Sequence, residues 1–307
     1  MNELTKKPKI LEVNIFYLII AILLLTIGGI AQTYDLFSGL LITEYILILL
    51  PVIGYLKFKG YNIKQILRLN KVKFKDAFLI ILITILMYPV ATFINSIILI
   101  IISLFGELKP TPIPTPSSSS FYLLGLFVIG VTPGICEEVM FRGLIMQGYS
   151  KKGYKKAIFI SALLFGIFHF NIQNLLGPIF LGVVFGFIVY KTNSLIAAMI
   201  AHATNNAFAW SLTYILGNIQ NEARNIQNVD IGLSETLQLV ISSFILLGIS
   251  FFTGALALYL YKKLPNYNEA DIQNEEIILE ENKGIFKYIP IIITCIGFIV
   301  LNFLAYR

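Results

Sequence analysis

Charged residues are scarce in this sequence, and that scarcity excludes a water-soluble domain. Asp, Glu, Lys and Arg make up 13% of the 307 residues, hydrophobic residues make up 57%, and the mean hydropathy is +0.81. Soluble domains carry roughly 25% charged residues. No run alternates between apolar and polar residues as the strands of a membrane β-barrel do. The composition predicts an all-α polytopic membrane protein, with residues 1–307 forming a single integral membrane domain.

Cysteine is nearly absent as well. Cys136 and Cys295 are the only two cysteines, and they lie far apart within apolar segments, so a disulfide framework is excluded. The net charge of +6 comes from Lys and Arg residues collected in a few loops. Such clusters indicate how a protein is oriented in the membrane, and they do not form a nucleic-acid surface here. We expect the lipid bilayer as a partner and no nucleic acid.

Long apolar runs are abundant, and their lengths suit helices that cross a hydrocarbon core. We expect about eight to nine transmembrane helices around an intramembrane active-site cavity. The apolar runs cover residues 13–31, 42–56, 78–105, 121–148, 157–170, 175–190, 195–216, 237–261 and 288–305. The first run is long for a signal-peptide core and no cleavage pattern follows it, so we expect it to be retained.

Two of these runs, residues 157–170 and 175–190, are marginal for crossing a bilayer at 1.5 Å per residue. Both a full crossing and a shallow hairpin facing a cavity are open. The second run contains Gly182 and Gly186 at a spacing that permits close contact between helices.

The positions of the lysines predict the topology. Residues 57–76 and 151–156 hold clustered basic residues, and such loops stay on the cytoplasmic side. The N-terminus is therefore expected in the cytoplasm, and residues 106–120 and 217–235 are expected to form external loops. We expect a multi-pass protein of a bacterial or archaeal plasma membrane.

Five ionisable residues interrupt the central parts of the apolar runs. They are Glu137, Glu138, Arg142, His169 and His202, and the two histidines are the only ones in the sequence. A charged group in a membrane helix costs roughly 2.5–3.5 kcal/mol on insertion scales, and such groups mark functional sites. A single membrane histidine can simply hydrogen-bond a neighbouring helix. Five such groups on three helices favour a catalytic site.

Helical spacing separates the roles of the two glutamates. Glu138 and Arg142 are four residues apart with the acid first, which is the favourable order for an ion pair. Glu137 lies ~100° around the helix from Glu138, so it can face elsewhere. We predict that Glu138 and Arg142 support the site, and that Glu137 is the working carboxylate.

The other two helices each present a pair of residues four positions apart. Phe165 and His169 share one helix face, as do His202 and Asn206, and we expect Phe165 to support the site. A carboxylate and an imidazole can together activate water. A second imidazole beside an amide can donate hydrogen bonds to the oxyanion of an acyl-transfer intermediate. These residue types predict hydrolysis of a peptide or ester bond.

Three motifs in this order resemble one known family. EEVMFRG at residues 137–143, FGIFH at 165–169 and HATNN at 202–206 are similar to the EExxxR, FxxxH and HxxxN motifs of the CAAX protease and bacteriocin-processing intramembrane endopeptidases. The resemblance covers residues 121–210, the expected catalytic core, and the flanking helices match nothing diagnostic.

The resemblance also implies roles and substrates. Glu137 would be the base and His169 its partner in binding water, while His202 and Asn206 would form the oxyanion site. Family members cleave prenylated CaaX proteins, or are associated with bacteriocin maturation, self-immunity or peptide processing. We therefore expect a membrane-associated peptide or lipidated protein as substrate.

Alternatives remain open at this point. Cys136 lies beside the glutamates and invites interpretation as a thiol nucleophile, although buried cysteines usually act as small hydrophobic residues. Membrane carboxylates and histidines also serve proton-coupled transporters, but no repeat relates the two halves of this sequence. A non-catalytic immunity or scaffold protein would keep the same fold.

A metal is a further alternative. Zinc hydrolases usually bind zinc through three protein ligands, which Glu137, His169 and His202 could supply from three helices. That arrangement would leave only Glu138 as base, and its spacing directs it toward Arg142. We therefore favour no metal cofactor, with zinc possible.

Overall fold

The computed structural model describes residues 7–110, 114–116, 118–223, 233–267 and 284–306. This part of the chain contains helices and no strand, which confirms the all-α polytopic fold. Nine main helices lie within it: α1 (Ile10–Tyr34), α2 (Leu36–Phe58), α3 (Phe74–Ser103), α4 (Ser119–Gly148), α5 (Tyr154–Ile167), α6 (Ile172–Thr192), α7 (Leu195–Ala223), α8 (Glu235–Lys263) and α9 (Ile285–Ala305).

Within the described ranges, seven helices are long and apolar enough to cross a membrane, all except α5 and α7. The 14 residues of α5 span about 21 Å at 1.5 Å each, which is less than a hydrocarbon core of about 30 Å. α7 continues to Ala223, so the external loop expected from residue 217 was placed too early. The apolar run ends at residue 216, but residues 217–223 are still helical.

α4 carries the EExxxR motif and is not a uniform α-helix. It begins after Ser118, whose side chain accepts a hydrogen bond from the Phe121 N–H. Wider π-helical turns occupy Leu126–Val131 and Val139–Ile145, on either side of the α-helical segment Thr132–Glu138. Such turns are often found at functional sites.

Glycines allow α4 to approach α7 closely, and α6 to approach α5. A Cβ atom on Gly134 of α4 would lie 2.8 Å from the backbone nitrogen of Ala203 in α7. A Cβ atom on Gly182 of α6 would lie 2.9 Å from the Cα of Ala162 in α5. The close contact predicted for Gly182 is therefore present, and its partner is α5. These contacts position the helices that carry the predicted catalytic residues.

We expect Gly134→Ala to destabilise the protein and reduce its activity. The added methyl group would press on the backbone of Ala203, which cannot rotate away, and overpacking of this kind typically costs ~1–3 kcal/mol. The melting temperature of the purified protein in detergent measures the effect. Gly54→Ala in α2 is the matched control, because no atom lies within 4 Å of its added Cβ. Equal melting temperatures for the two variants would contradict the close contact.

One end of the helix bundle collects the basic loops. Lys59 Nζ donates a hydrogen bond to Glu12 Oε1 at 2.8 Å, and Tyr149 Oη donates to Asn14 Oδ1 at 2.7 Å. The first of these bonds raises the pKa of Lys59. The start of α1 therefore lies with the loops that follow α2 and α4. We call this the basic end; the opposite end carries the α1–α2 turn and the segment after α3.

Candidate active site

A cavity of about 610 Å³ lies inside the helix bundle, and all four residues predicted to be catalytic line it. Glu137 comes from α4, His169 follows α5, and His202 and Asn206 come from α7. Phe165, which was expected to support the site, lines the cavity as well. Side chains that are up to 69 residues apart in sequence thus meet in one space.

The two adjacent glutamates have different surroundings. The Glu137 side chain is 13% exposed and faces the cavity, whereas the Glu138 and Arg142 side chains are 0% exposed. Arg142 Nη1 donates a hydrogen bond to Glu138 Oε1 at 2.7 Å. The ion pair expected from the four-residue spacing is therefore present. It is buried behind the residues that line the cavity.

The hydrogen bonding of His169 identifies its tautomer. Its Nδ1 atom lies 2.9 Å from the carbonyl oxygen of Phe165. A carbonyl oxygen only accepts hydrogen bonds, so Nδ1 carries the proton and donates it. In the neutral ring, Nε2 then keeps a lone pair. His169 can therefore accept a hydrogen bond from a water molecule in the cavity.

His202 connects the buried ion pair to the cavity. Its Nδ1 atom lies 2.9 Å from Glu138 Oε1, which also accepts from Arg142. Its Nε2 atom lies 3.7 Å from Glu137 Oε2. A carboxylate only accepts hydrogen bonds, so Nδ1 of His202 donates to Glu138. This contact fixes the orientation of the ring and turns Nε2 toward Glu137.

Hydrogen bonds also fix the orientation of the Asn206 amide. Its Oδ1 atom accepts from Asn205 Nδ2 at 3.1 Å, and its Nδ2 atom donates to the Ile129 carbonyl oxygen at 3.2 Å. An amide nitrogen has two N–H groups. One of them is used by Ile129, and the second is left for a ligand in the cavity.

Two phenylalanine rings hold the charged residues in place. The Arg142 guanidinium lies 4.6 Å from the ring centre of Phe165 and 5.5 Å from that of Phe185. The His202 ring stacks on Phe185 at a centroid distance of 5.3 Å. A cation over an aromatic face is stabilised by the ring, and more so away from water. Phe185 thus supports both Arg142 and His202.

Comparison with known families identifies the segment that contains this site. The family described as type II CAAX prenyl endopeptidase Rce1-like matches residues 119–208, which include Glu137, His169, His202 and Asn206. Through this segment the chain is similar to the CAAX protease family. The resemblance drawn from the three motifs is confirmed. The matched family implies protease activity within the membrane at the level of the family. No curated protein and no solved structure matches the chain.

Three further residues that were not singled out from the sequence lie at the site: Glu44, Asn205 and Phe185. Glu44 of α2 is 4% exposed and lies in the cavity next to the carboxyl group of Glu137. Asn205 lines the cavity and donates to Asn206, and Phe185 stacks on His202. Glu44 could have been found from the sequence, because it is a glutamate inside the second apolar run. Phe185 carries no such signal, because phenylalanine is ordinary in an apolar helix.

The geometry of the cavity bears on a zinc site and on Cys136 as a nucleophile. Among the described residues, no group of three His, Cys, Asp or Glu side chains is arranged closely enough to hold a metal ion. Both histidines use Nδ1 in hydrogen bonds within the protein, which leaves Nε2 of each ring for the cavity. Cys136 is fully buried and is not among the residues that line the cavity, which is poor placement for a thiol nucleophile.

Proposed function

We propose that this protein hydrolyses a peptide bond in a membrane-associated peptide or lipidated protein, using water activated by Glu137 and His169. The observation that carries the proposal is the convergence of these two side chains with His202 and Asn206 on one cavity. Each group has a distinct hydrogen-bonding capacity there. Together they provide a base, an acceptor for water and two donors, which are the groups that acyl transfer needs.

The attacking water lies between Glu137 and His169 in this proposal. The Glu137 carboxylate takes one proton from the water, while Nε2 of His169 accepts a hydrogen bond from the other O–H group. The water oxygen forms a bond to the carbonyl carbon of the scissile peptide. When the C–N bond breaks, the proton held by Glu137 passes to the leaving amine. No redox partner is needed.

His202 and Asn206 stabilise the oxyanion that forms on the carbonyl oxygen. The second N–H of the Asn206 amide donates one hydrogen bond. Nε2 of His202 donates the other when the ring carries a proton on both nitrogens, since Nδ1 already donates to Glu138. The carboxyl groups of Glu138 and Glu137 on either side supply compensating negative charge. Donors held in advance at developing charge usually make a large contribution to catalysis.

Glu44 lies beside Glu137 and can assist it if it is the member of the pair that holds a proton. Two ionised carboxylates close together in an apolar cavity repel each other, so one of the pair takes up a proton. A protonated carboxyl group can donate a hydrogen bond, whereas an ionised one only accepts. A proton on Glu44 would let that side chain donate a hydrogen bond to the Glu137 carboxylate.

The lining of the cavity suits a substrate with an apolar anchor. Leucines from several helices surround the polar groups, including Leu40 of α2, Leu99 of α3 and Leu181 of α6. The description of the matched family names a prenyl CAAX substrate. A peptide attached to a lipid, or one with an apolar segment, could place that part against the leucines and its scissile bond at Glu137.

The direct test uses purified protein in lipid vesicles with membrane-tethered peptides, comparing wild type with Glu137→Ala. Cleavage by wild type alone supports the proposal. Cleavage at equal rates by both would contradict the assignment of Glu137, and an inert wild type across lipid-anchored and apolar peptides would favour a non-catalytic protein.

We expect His202→Ala and Asn206→Ala each to lower kcat by roughly 10²- to 10³-fold, with little change in KM. Donors aimed at an oxyanion act on the transition state and contribute little to binding of the ground state. Steady-state kinetics on a cleaved peptide measure both constants. Asn205→Ala is the matched amide control, with a smaller loss expected because Asn205 acts through Asn206. A raised KM with unchanged kcat would make these binding residues only.

A further inference from the structure

The cavity lies in one half of the bundle, away from the basic end. Glu44 is in the first half of α2, which runs toward the basic end, and Leu99 is near the end of α3, which runs away from it. Asn174 lies at the start of α6, and Gln32 lies near the end of α1. The lining therefore reaches the helix ends opposite the basic end.

Packed side chains close the cavity in the other direction. Between Glu137 and the basic end, α4 contributes Met140, Phe141, Leu144 and Ile145, each with 0% exposure. The Glu138–Arg142 ion pair is fully buried at the same level. Core packing of this kind leaves few voids larger than a water molecule. A substrate can therefore reach Glu137 from the opposite end of the bundle and not from the basic end.

Further contacts bring the remaining lysines to the basic end. Asn70 Nδ2 donates to the Asn193 carbonyl oxygen at 2.7 Å, which joins the loop after α2 to the α6–α7 turn. Lys191 Nζ donates to the Tyr261 carbonyl oxygen at 2.6 Å, which brings the end of α8 to the same place. Among the lysines and arginines that the structure describes, Lys109 alone lies at the opposite end.

The distribution of lysine and arginine predicts the side of the membrane from which a substrate enters the cavity. Loops rich in lysine and arginine remain in the cytoplasm when a membrane protein inserts. The basic end is then cytoplasmic, and the cavity opens at the outer face of the membrane. We propose that the substrate enters from that outer face, as a membrane-tethered peptide whose scissile bond lies outside the cytoplasm.

This inference rests on the proposed hydrolysis and narrows its substrate class. An exported peptide anchored in the outer leaflet would reach Glu137 directly. A prenylated C-terminus on a cytoplasmic protein would meet the closed basic end instead. The mouth of the cavity has polar groups for a peptide backbone at Gln32 and Asn174, and an apolar surface at Leu36 for its anchor.

Cysteine labelling in whole cells tests the side of access without a substrate. In a background with Cys136 and Cys295 replaced by alanine, single cysteines are introduced by Ser242→Cys, Ser118→Cys and Lys64→Cys. Ser242 lines the cavity from α8. The reagent is a membrane-impermeant sulfonated maleimide, applied to intact and to permeabilised cells.

We expect Ser242→Cys and Ser118→Cys to react in intact cells, and Lys64→Cys to react only after permeabilisation. Ile245→Cys is the matched control on α8: Ile245 is 60% exposed, is not among the lining residues, and should stay unlabelled in lipid. Reaction of Ser242→Cys only after permeabilisation would overturn the inference. So would no reaction of Ser242→Cys in either condition while Ser118→Cys reacts in intact cells.

The same labelling in Glu137→Gln separates the two proposals. Hydrolysis is not needed for the maleimide to enter, so access from the outer face should be unchanged in that variant. If the protein with Glu137 intact cleaves no peptide but Ser242→Cys reacts in intact cells, only the proposed hydrolysis is rejected. If the protein with Glu137 intact cleaves peptides but Ser242→Cys reacts only after permeabilisation, only the proposed entry from the outer face is rejected.

Discussion

Glu137→Gln is expected to abolish peptide hydrolysis while the protein remains folded. Glutamine has nearly the same shape as glutamate but cannot take a proton from water at neutral pH. Glu137 faces the cavity and has no ion-pair partner closer than the 3.7 Å to His202, so the amide can replace it without leaving a buried charge unpaired. General-base catalysis typically contributes 10²–10⁴-fold, and removing the base should take activity close to background.

The measurement is the rate of peptide cleavage at matched concentrations of monodisperse protein, with the melting temperature as the check on folding. Glu44→Gln is the matched control, since it makes the same change on the neighbouring carboxyl group. Its amide still donates a hydrogen bond to Glu137, so activity near neutral pH should be largely kept. Full activity in Glu137→Gln together with loss in Glu44→Gln would exchange the roles of these two residues.

Breaking the Glu138–Arg142 pair is expected to have the largest effect on folding. Both side chains are 0% exposed and joined at 2.7 Å, so either Glu138→Gln or Arg142→Ala leaves a charge buried without its partner. For a fully buried pair this costs roughly 3–5 kcal/mol, a large fraction of the stability of a typical protein. We expect a low yield of monodisperse protein and a strongly reduced melting temperature in detergent.

The double variant Glu138→Leu with Arg142→Met provides the control. Replacing both members of a buried ion pair with apolar residues is often neutral or stabilising. The double variant should therefore be more stable than either single variant. It should still be slow, because His202 loses the acceptor for its Nδ1 proton. A stable, inert Glu138→Gln beside an active Glu137→Gln would reverse the assignment of the two glutamates.

The fold class, and the set of polar residues that line one cavity, were largely accessible from the sequence. Apolar run length and composition are local properties, and they are sufficient to identify membrane helices. The cost of ionisable groups in such helices directed attention to Glu137, Glu138, Arg142 and the two histidines, and the motif order indicated the family. The four-residue spacing of Glu138 and Arg142 was also a local property, and the ion pair is present.

Contacts between helices could not be obtained in this way, because they depend on which faces meet. The structure alone brings Glu44 beside Glu137 and stacks Phe185 on His202, joining α2 to α4 and α6 to α7. It also determines that the cavity reaches the lysine-poor end, since packed residues of α4 close it toward the basic end. The sequence determined which residues are costly to bury; tertiary packing decided which of them share a cavity and from which end it opens.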